Sequence, residues 1–456
     1  MQRKLVIFIT VLTLISLFLR AFRLSEPPRY YFDEVYHAVT AKAYADNIRD
    51  AYDPFSKAPK EGTAYDWLHP PLAKLMQAGS IKMFGDAPLG WRLPSVIFGT
   101  AIIPLTFILA FLLFGPIAAI FSATVIAFEN LTFVMSRITM NDVFVTVFSL
   151  VAFIFLVLHS QKKKFIYLVL CALFLGFAVS SKWTGAYTIL AVAVFIFFVR
   201  LRGFLRLRTK LNFVGVATVP RYSLILIIPA VIYLLSYGQF WLQGHSVKQF
   251  VDLNKQIWWY QNRHDLEHTY GTTALFCVPK GTSAEKTWCP WILNARGVYF
   301  SYEQYGSPSG EAGDKQSLQS SNSENSAGLK AGYIYALGNP LIFWGGIIAV
   351  SFVLGKFIEE RKKEYALILL GYFVFWVPWI FTPRLMFLYH YLPSLPFLAI
   401  SLGVSLAAIY KTKFKYATIV ILLVFIAVFF YFYPISSGLP IDPNSIDRYM
   451  WLSTWR

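Results

Sequence analysis

The sequence predicts an all-α polytopic membrane protein, and three observations carry that prediction. Of the 456 residues, 57% are hydrophobic and 18% aromatic, while 14% are charged; an ordinary soluble domain carries roughly 25% charged residues. The apolar residues gather into eleven runs, near the ~20 residues that a bilayer core demands of a helix. The positive charge falls unevenly between those runs. A net charge of +17 and a pI of about 9.6 would suit a nucleic-acid partner, but a chain this apolar cannot wet its surface, so no nucleic acid is expected. The composition also excludes disorder, and three cysteines are too few for a disulfide scaffold.

In order, the expected spans are Leu5–Phe22, Leu93–Phe114, Pro116–Val134, Val143–His159, Phe165–Ser180, Thr184–Val199, Tyr222–Trp241, Leu337–Gly355, Tyr365–Phe381, Leu385–Tyr410 and Tyr416–Tyr433. The first is too long for a signal peptide and has no small-residue cleavage site, so it reads as an anchor. Gly115-Pro116 makes a tight turn between the second and third spans.

Orientation follows from Lys and Arg in the short loops. With a cytoplasmic amino terminus, the inner loops hold eighteen basic residues against three acids, about +15, and the outside is left near +2. The inner groups are Arg3 and Lys4, Lys162 to Lys164, Arg200 to Arg221, Lys356 to Lys363, and Lys411 to Lys415. Eleven spans then put the carboxyl terminus outside. The expected place is the cell membrane, crossed many times, with the active face outward.

The spans divide the chain into a module 1–243, with a first outside loop over 25–91, an outside loop 244–336, and a four-span module with an outside tail, 337–456. In the second loop, Ser307 to Ser326 is rich in Ser, Asn and Gly and reads as flexible. Cys277 and Cys289 lie in that loop, where an outside location permits a bridge. Cys171 sits mid-span and reads as core.

Ionisable groups avoid the middle of the spans, where they are costly, and collect at the outer ends. Phe32-Asp33-Glu34-Val35-Tyr36-His37 opens a helix-like run, for which Asp33 as N-cap and Glu34 in the first turn is the plain reading. Trp67-Leu68-His69-Pro70-Pro71-Leu72-Ala73-Lys74 precedes a helix with Leu72, Leu75, Met76, Gly79 and Met83 on one face. That face suits an interfacial helix, with Lys74 and Lys82 meeting lipid phosphates. His69 there, taken alone, reads first as a hydrogen-bonded structural residue. Arg137 and Asp142 bound the third and fourth spans and could simply pair or snorkel. Lys182-Trp183, and Arg384 with His390-Tyr391, complete the rim. Asn130-Leu131-Thr132 matches a glycosylation sequon but lies too near the membrane to serve.

Acids beside cations at a membrane face suit transfer of a group from a lipid phosphate carrier. The leaving group is already a phosphate and needs charge stabilisation, which a rim Arg or Lys supplies. The acceptor hydroxyl needs a base, and one carboxylate suffices for a single displacement with inversion. No Gly-rich phosphate loop and no Cys/His zinc cluster is present in the sequence, and no motif requires a metal.

These pieces, in their order, resemble the protein O-mannosyltransferase family, membrane glycosyltransferases that use polyprenyl- or dolichyl-phosphate-mannose. The likeness rests on Phe32-Asp33-Glu34 with His37, Leu68 to Lys74, Glu129-Asn130 leading to Ser136-Arg137 and Asp142, Ser181-Lys182-Trp183, Gly338-Asn339-Pro340, and Tyr389 to Phe397. It implies a GT-C fold with two helices along the membrane and a cavity at the outer face. It implies Asp33 as catalytic base with Glu34 assisting. Arg137 would bind the donor phosphate with Lys182 or Arg384, His69 and Asp142 would shape the sugar or acceptor pocket, and His390 and Tyr391 would line it. The implied partners are the bilayer, a polyprenyl-phosphate-linked sugar and a protein or peptide acceptor. No cofactor is implied, since the lipid-phosphate sugar is a substrate. Eukaryotic members carry a β-trefoil domain between the seventh and eighth spans; the loop here is too short for one, as in the short prokaryotic type.

Two other readings compete. The same fold could move a different lipid-linked sugar, such as a pentose, onto a glycan or lipid. A transporter or flippase would more often show repeated halves and polar groups at midplane, and the sequence shows neither.

Overall fold

The computed structural model describes residues 2–58, 60–206, 219–263, 278–279, 287–288, 291–305, 329–381 and 386–455. Cys277, Cys289, Arg384 and the Ser307–Ser326 stretch lie outside the described residues.

The chain enters as α1 (Gln2–Ala21) and crosses to α2 (Glu34–Ala45) and α3 (Leu72–Phe84) of the first long loop. It continues through α4 (Pro88–Phe114), α5 (Pro116–Ala127), α6 (Asn130–Met135), α7 (Asp142–Lys162), α8 (Phe165–Ser181) and α9 (Gly185–Arg206). After α10 (Val219–Tyr222), α11 (Leu224–Ser236) and α12 (Gly238–Leu242), α13 (Val247–Gln261) begins the second long loop. The last part holds α14 (Pro340–Glu360), α15 (Lys363–Val374), α16 (Leu395–Tyr410) and α17 (Lys415–Ser437). Among the described residues, seven helical stretches are long and apolar enough to cross a membrane, and four shorter apolar helices accompany them. Each expected span overlaps one of these helices.

The core is built where α4, α5, α7, α8, α11 and α16 pack on one another. Small residues let backbones approach. At the α5–α16 contact a Cβ on Gly403 would stand 2.0 Å from the Ser122 hydroxyl oxygen and 2.6 Å from the Ala118 carbonyl. The expected turn forms at Gly115, whose φ of +83° suits glycine, with Pro116 opening α5.

Three features depart from the sequence reading. The third span is interrupted before its end, because Glu129 is an N-cap: its carboxylate accepts from the backbone amides of Leu131 (3.0 Å) and Thr132 (2.6 Å) and starts α6 afresh. The oxygen that takes Leu131 also accepts from the Asn339 amide (3.1 Å), and the Asn339 side chain in turn caps α14. Lys74 does not face lipid. It is fully buried and donates to both a carboxylate oxygen (3.1 Å) and the carbonyl of Asp66, and to the carbonyl of His69 (3.0 Å). Met76, Lys82 and Met83 do face outward. Finally, the second loop and the C-terminal tail form a small antiparallel sheet. After a short pair of strands, β1 (Val278–Pro279) and β2 (Thr287–Trp288), the strands β3 (Val298–Tyr305), β4 (Lys330–Ala336) and β5 (Pro440–Ile441) pair in that order. Tyrosines dominate β3 and β4, and Tyr299 opposes Tyr335 while Tyr302 opposes Tyr333.

Candidate active site

Phe32 and Asp33 turn the chain into α2. Phe32 has φ +49°, the left-handed region that an aromatic residue rarely adopts. Its ring is held there by stacking on Phe300 (4.2 Å) and by edge contacts with Phe387 and Tyr389. Asp33 occupies the N-cap position, yet its side chain makes no capping hydrogen bond. The carboxylate instead accepts from the Tyr389 hydroxyl at 3.3 Å. Burial pushes the Asp33 carboxyl above its usual range, while His37, Lys182 and Tyr389 oppose that shift and Asp66 adds to it. The Asp33 carboxylate thus bonds to Tyr389 rather than capping α2, and the Lys182 charge acts on it.

Glu34 points elsewhere. It is fully buried and meets the Arg92 guanidinium through both oxygens, at 2.9 Å each. It also accepts from the backbone amides of Tyr31 (3.3 Å) and Thr139 (3.1 Å). Arg92 further donates to the carbonyls of Leu24, Pro27 and Arg29. The pair locks the start of α2 to α4, so the structure gives Glu34 a framing position one residue from the candidate base.

Behind Asp33 lies a second acid that the sequence reading missed. One Asp66 oxygen accepts from Lys74 Nζ at 3.1 Å and lies 2.8 Å from His37 Nδ1, and the other accepts from Leu68 N–H. Burial pushes its carboxyl up, but Lys74, His69 and His37 outweigh this and hold it well below the usual carboxylate range. The His69 ring stacks on His37 at 5.7 Å. Burial holds the His69 imidazole well below its ordinary value, Asp66 notwithstanding. Burial likewise lowers Lys74, against the pull of Asp66. The ligating atoms of His37, Asp66 and His69 all lie within 4.8 Å of one another, a spacing that would suit a metal. The Lys74 ammonium sits 3.1 Å from one Asp66 carboxylate oxygen.

Lys182 reaches the site from the end of α8 and pairs with Asp142, the first residue of α7, at 2.7 Å; both are buried. The ammonium also lies 5.9 Å from the Tyr389 ring. His390 follows Tyr389 and stacks with Trp291 and Tyr389. Lys182 thus links Asp142, by the ion pair, to Asp33 and His69, on both of which its charge acts, and His390 adjoins Tyr389. Tyr391 turns into the core, where its hydroxyl donates to that of Tyr372 at 2.6 Å.

Arg137 is placed differently. Its guanidinium donates to the carbonyls of Leu19, Arg20, Phe22, Arg23 and Ser437, at 2.5–3.4 Å. That is a C-cap for α1, a cation on the carbonyl end of a helix. Asn130 of the sequon is buried, its amide bound to Phe429 O and Ser436 Oγ. A cavity of about 320 Å³ opens beyond α2, lined among others by Asp50, Asp53, His245 and Asp252, and includes none of the expected site residues. Asp66 could have been found from its place two residues before Leu68-His69, but its partner His37 lies 29 positions away.

Residues 10–243 match the family model described as dolichyl-phosphate-mannose-protein mannosyltransferase, and 246–455 match the C-terminal four-span region of protein O-mannosyltransferase. Over 93% of this chain and 88% of the relative, the sequence is 23% identical to a polyprenol-phosphate-mannose–protein mannosyltransferase of Corynebacterium glutamicum. A protein of the same description in Mycobacterium tuberculosis is 22% identical over 98% of this chain and 91% of its own. Among solved structures, the S. cerevisiae protein O-mannosyltransferase Pmt1–Pmt2 complex bound to the sugar donor is similar with a TM-score of 0.68, at 17% identity, over 99% of this chain and 93% of that one. ArnT of Cupriavidus metallidurans bound to undecaprenyl phosphate is similar with a TM-score of 0.53, at 12% identity, over 95% and 74%. The fold is thus the GT-C fold that the sequence led us to expect, and the chain belongs to the dolichyl-phosphate-mannose-protein mannosyltransferase family of membrane glycosyltransferases.

Proposed function

We propose that this protein transfers mannose from a polyprenyl-phosphate carrier to Ser or Thr hydroxyls of a protein acceptor, with inversion and with Asp33 as base. The observation that carries this reading is the Asp33 carboxylate: it caps nothing, its affinity for a proton is raised by burial, and cations face it. Asp33 takes the hydroxyl proton as the acceptor oxygen attacks the anomeric carbon; the bond from that carbon to the phosphate oxygen breaks, and the lipid phosphate leaves. Lys182 is the expected donor-phosphate cation that stands beside Asp33, and it meets the charge that develops on the leaving group. Glu34 acts by fixing the start of α2 through Arg92, and Arg137 by fixing the end of α1. No cofactor beyond the lipid donor enters this scheme. The charge asymmetry of the loops supports a working face on the outside of the cell membrane.

The test is a transfer assay with purified protein, polyprenyl-phosphate-mannose and a Ser/Thr-rich peptide, with a pentose carrier as rival donor. Mannosylated peptide of opposite anomeric configuration to the donor is expected. Asp33→Asn should lower turnover at least about 100-fold while donor binding persists. Wild-type turnover by that variant would remove Asp33 from its role; preference for the pentose carrier would replace the substrate.

A further inference from the structure

The second long loop opens with α13, and the sequence fixes where that helix starts: the Ser246 hydroxyl accepts from the Gln249 amide, and the Gln249 side chain accepts from the Ser246 amide. At about 3.6 residues per turn, its residues divide by side. Leu253 and Ile257 are buried, with Phe250 and Asn254 half-buried next to them, and this side meets the rest of the protein. Its contacts set the height of the helix. The Tyr233 hydroxyl, near the end of α11, donates to Asn254 at 2.7 Å and accepts from the Trp183 indole, just past the end of α8, at 3.0 Å. Trp241 packs on Phe250 at 5.1 Å, and Trp67 meets Tyr260 edge-on at 6.0 Å. The helix is thus fastened to the ends of two expected spans, where Trp and Tyr mark a membrane–water boundary.

Next round the helix come Val247, Val251 and Trp258, a stripe exposed at 70%, 43% and 64%. Lys255 and Lys248 follow, both exposed, and beyond them Asp252, Gln256 and Gln249, which line the cavity of about 320 Å³. Apolar, then cationic, then acid and amide is the order a helix meets on passing from acyl chains through phosphates to water. The stripe also prolongs a lipid-facing surface. Leu234 and Leu235 at the end of α11 are exposed, and Leu242, which closes α12, is 91% exposed. We propose that α13 lies in the bilayer interface on the Asp33 side, with Leu242, Val247, Val251 and Trp258 in the acyl chains, Lys248 and Lys255 on lipid phosphates, and Asp252 and Gln256 turned to water. Lipid suits this surface better than a protein partner. The stripe is narrow and runs on from a span, and it is bordered by lysines, which protein interfaces disfavour and whose stems can lie along lipid while the ammonium reaches the phosphates. Because Trp183 follows Lys182, the helix resting on lipid phosphates is bonded through Tyr233 to the neighbour of the expected donor-phosphate cation.

The experiment uses the full-length protein, with Cys277 and Cys289 replaced by Ser, in vesicles of phosphatidylcholine and phosphatidylglycerol. A nitroxide is attached in turn to Val247→Cys, Gln249→Cys, Val251→Cys and Asp252→Cys. Power saturation then compares collisions with oxygen, which gathers in acyl chains, and with a nickel chelate, which stays in water. Oxygen should dominate at Val247→Cys and Val251→Cys and the chelate at Gln249→Cys and Asp252→Cys, so the sign alternates with helical position. Dominance of the chelate at all four would put α13 in water. Shielding from both reagents at Val247→Cys and Val251→Cys would mean that protein covers the stripe, be it a second copy or another segment of this chain. Either result overturns the proposal. A second measurement leaves the sequence unchanged: wild-type protein is irradiated in vesicles whose phosphatidylcholine carries a diazirine in its acyl chain, and its peptides are weighed. Lipid adducts are expected on the peptides that hold Val251 and Trp258, and their absence overturns the proposal. Neither measurement depends on transfer activity, so the seating of α13 is decided even if the mannosyl reading fails.

Discussion

Asp33 has to be charged when the acceptor arrives, yet burial favours its protonated form. Transfer should therefore rise with pH through a value above the ordinary carboxylate pKa of about 4. Tyr389 donates to the ionised form, so Tyr389→Phe should move that acid limb to still higher pH; a pH–rate profile with an unmoved limb would show that the hydrogen bond does not tune the base. Asp66 behaves oppositely. Its folded-state carboxyl lies below the unfolded value of about 3.9, so it contributes stability that is present above that pH and lost as pH falls through the folded-state value. Asp66→Asn leaves Lys74 buried without its carboxylate, a change worth about 3–5 kcal/mol. The gap in melting temperature between wild type and Asp66→Asn should be wide at pH 7 and narrow on acidification; a gap independent of pH would contradict the ion pair. Asp33 and His69 were legible as single residues because their neighbours in sequence are unusual. Asp66 and Arg92 were not, because what defines them is a partner on another segment.

At the scale of elements, the end of α1 depends on one side chain from another helix. The carbonyls of Leu19, Arg20, Phe22 and Arg23 converge on Arg137. Arg137→Ala leaves them without their donor, at roughly 1–3 kcal/mol for each buried group that stays unpaired. Arg137→Lys keeps the charge but not the planar fork, so it should restore only part of the loss. Thermal unfolding followed alongside donor KM separates the two roles: a capping residue loses melting temperature in both variants, whereas a phosphate ligand loses donor affinity with stability intact. The interrupted third span follows the same logic. Glu129 and Asn339 cap separate helices and are joined at 3.1 Å, so the motifs around them, which sequence order alone made recognisable, bind the first module to the last four spans. The tyrosine-rich strands β3 and β4 went unforeseen because a membrane chain is read first for long apolar runs, and their pairing buries the alternation in a short sheet.

Across the whole molecule, the loop charges make a prediction about direction. In a background with Cys277 and Cys289 replaced by Ser, a cysteine at the exposed position Lys57 should react with an impermeant maleimide on intact cells. One at the exposed position Lys163 should react only after permeabilisation. The reverse pattern would invert the molecule and with it the side on which Asp33 meets its acceptor. The buried Cys171 should stay silent in both.

The sequence by itself determined the membrane class, the run of apolar helices, the glycine-proline turn at Gly115 and the order of the rim motifs. These are local properties, set by hydropathy over a helix length and by residues adjacent in the chain. Only the tertiary structure decided which rim charges are engaged and which are left for chemistry. Glu34 and Arg137 are as polar in sequence as Asp33. Folding commits Glu34 to Arg92 and Arg137 to the end of α1, and it leaves the Asp33 carboxylate uncapped beside His37 and Lys182. A buried charge must find a partner, and the partners lie on helices that only the fold brings together.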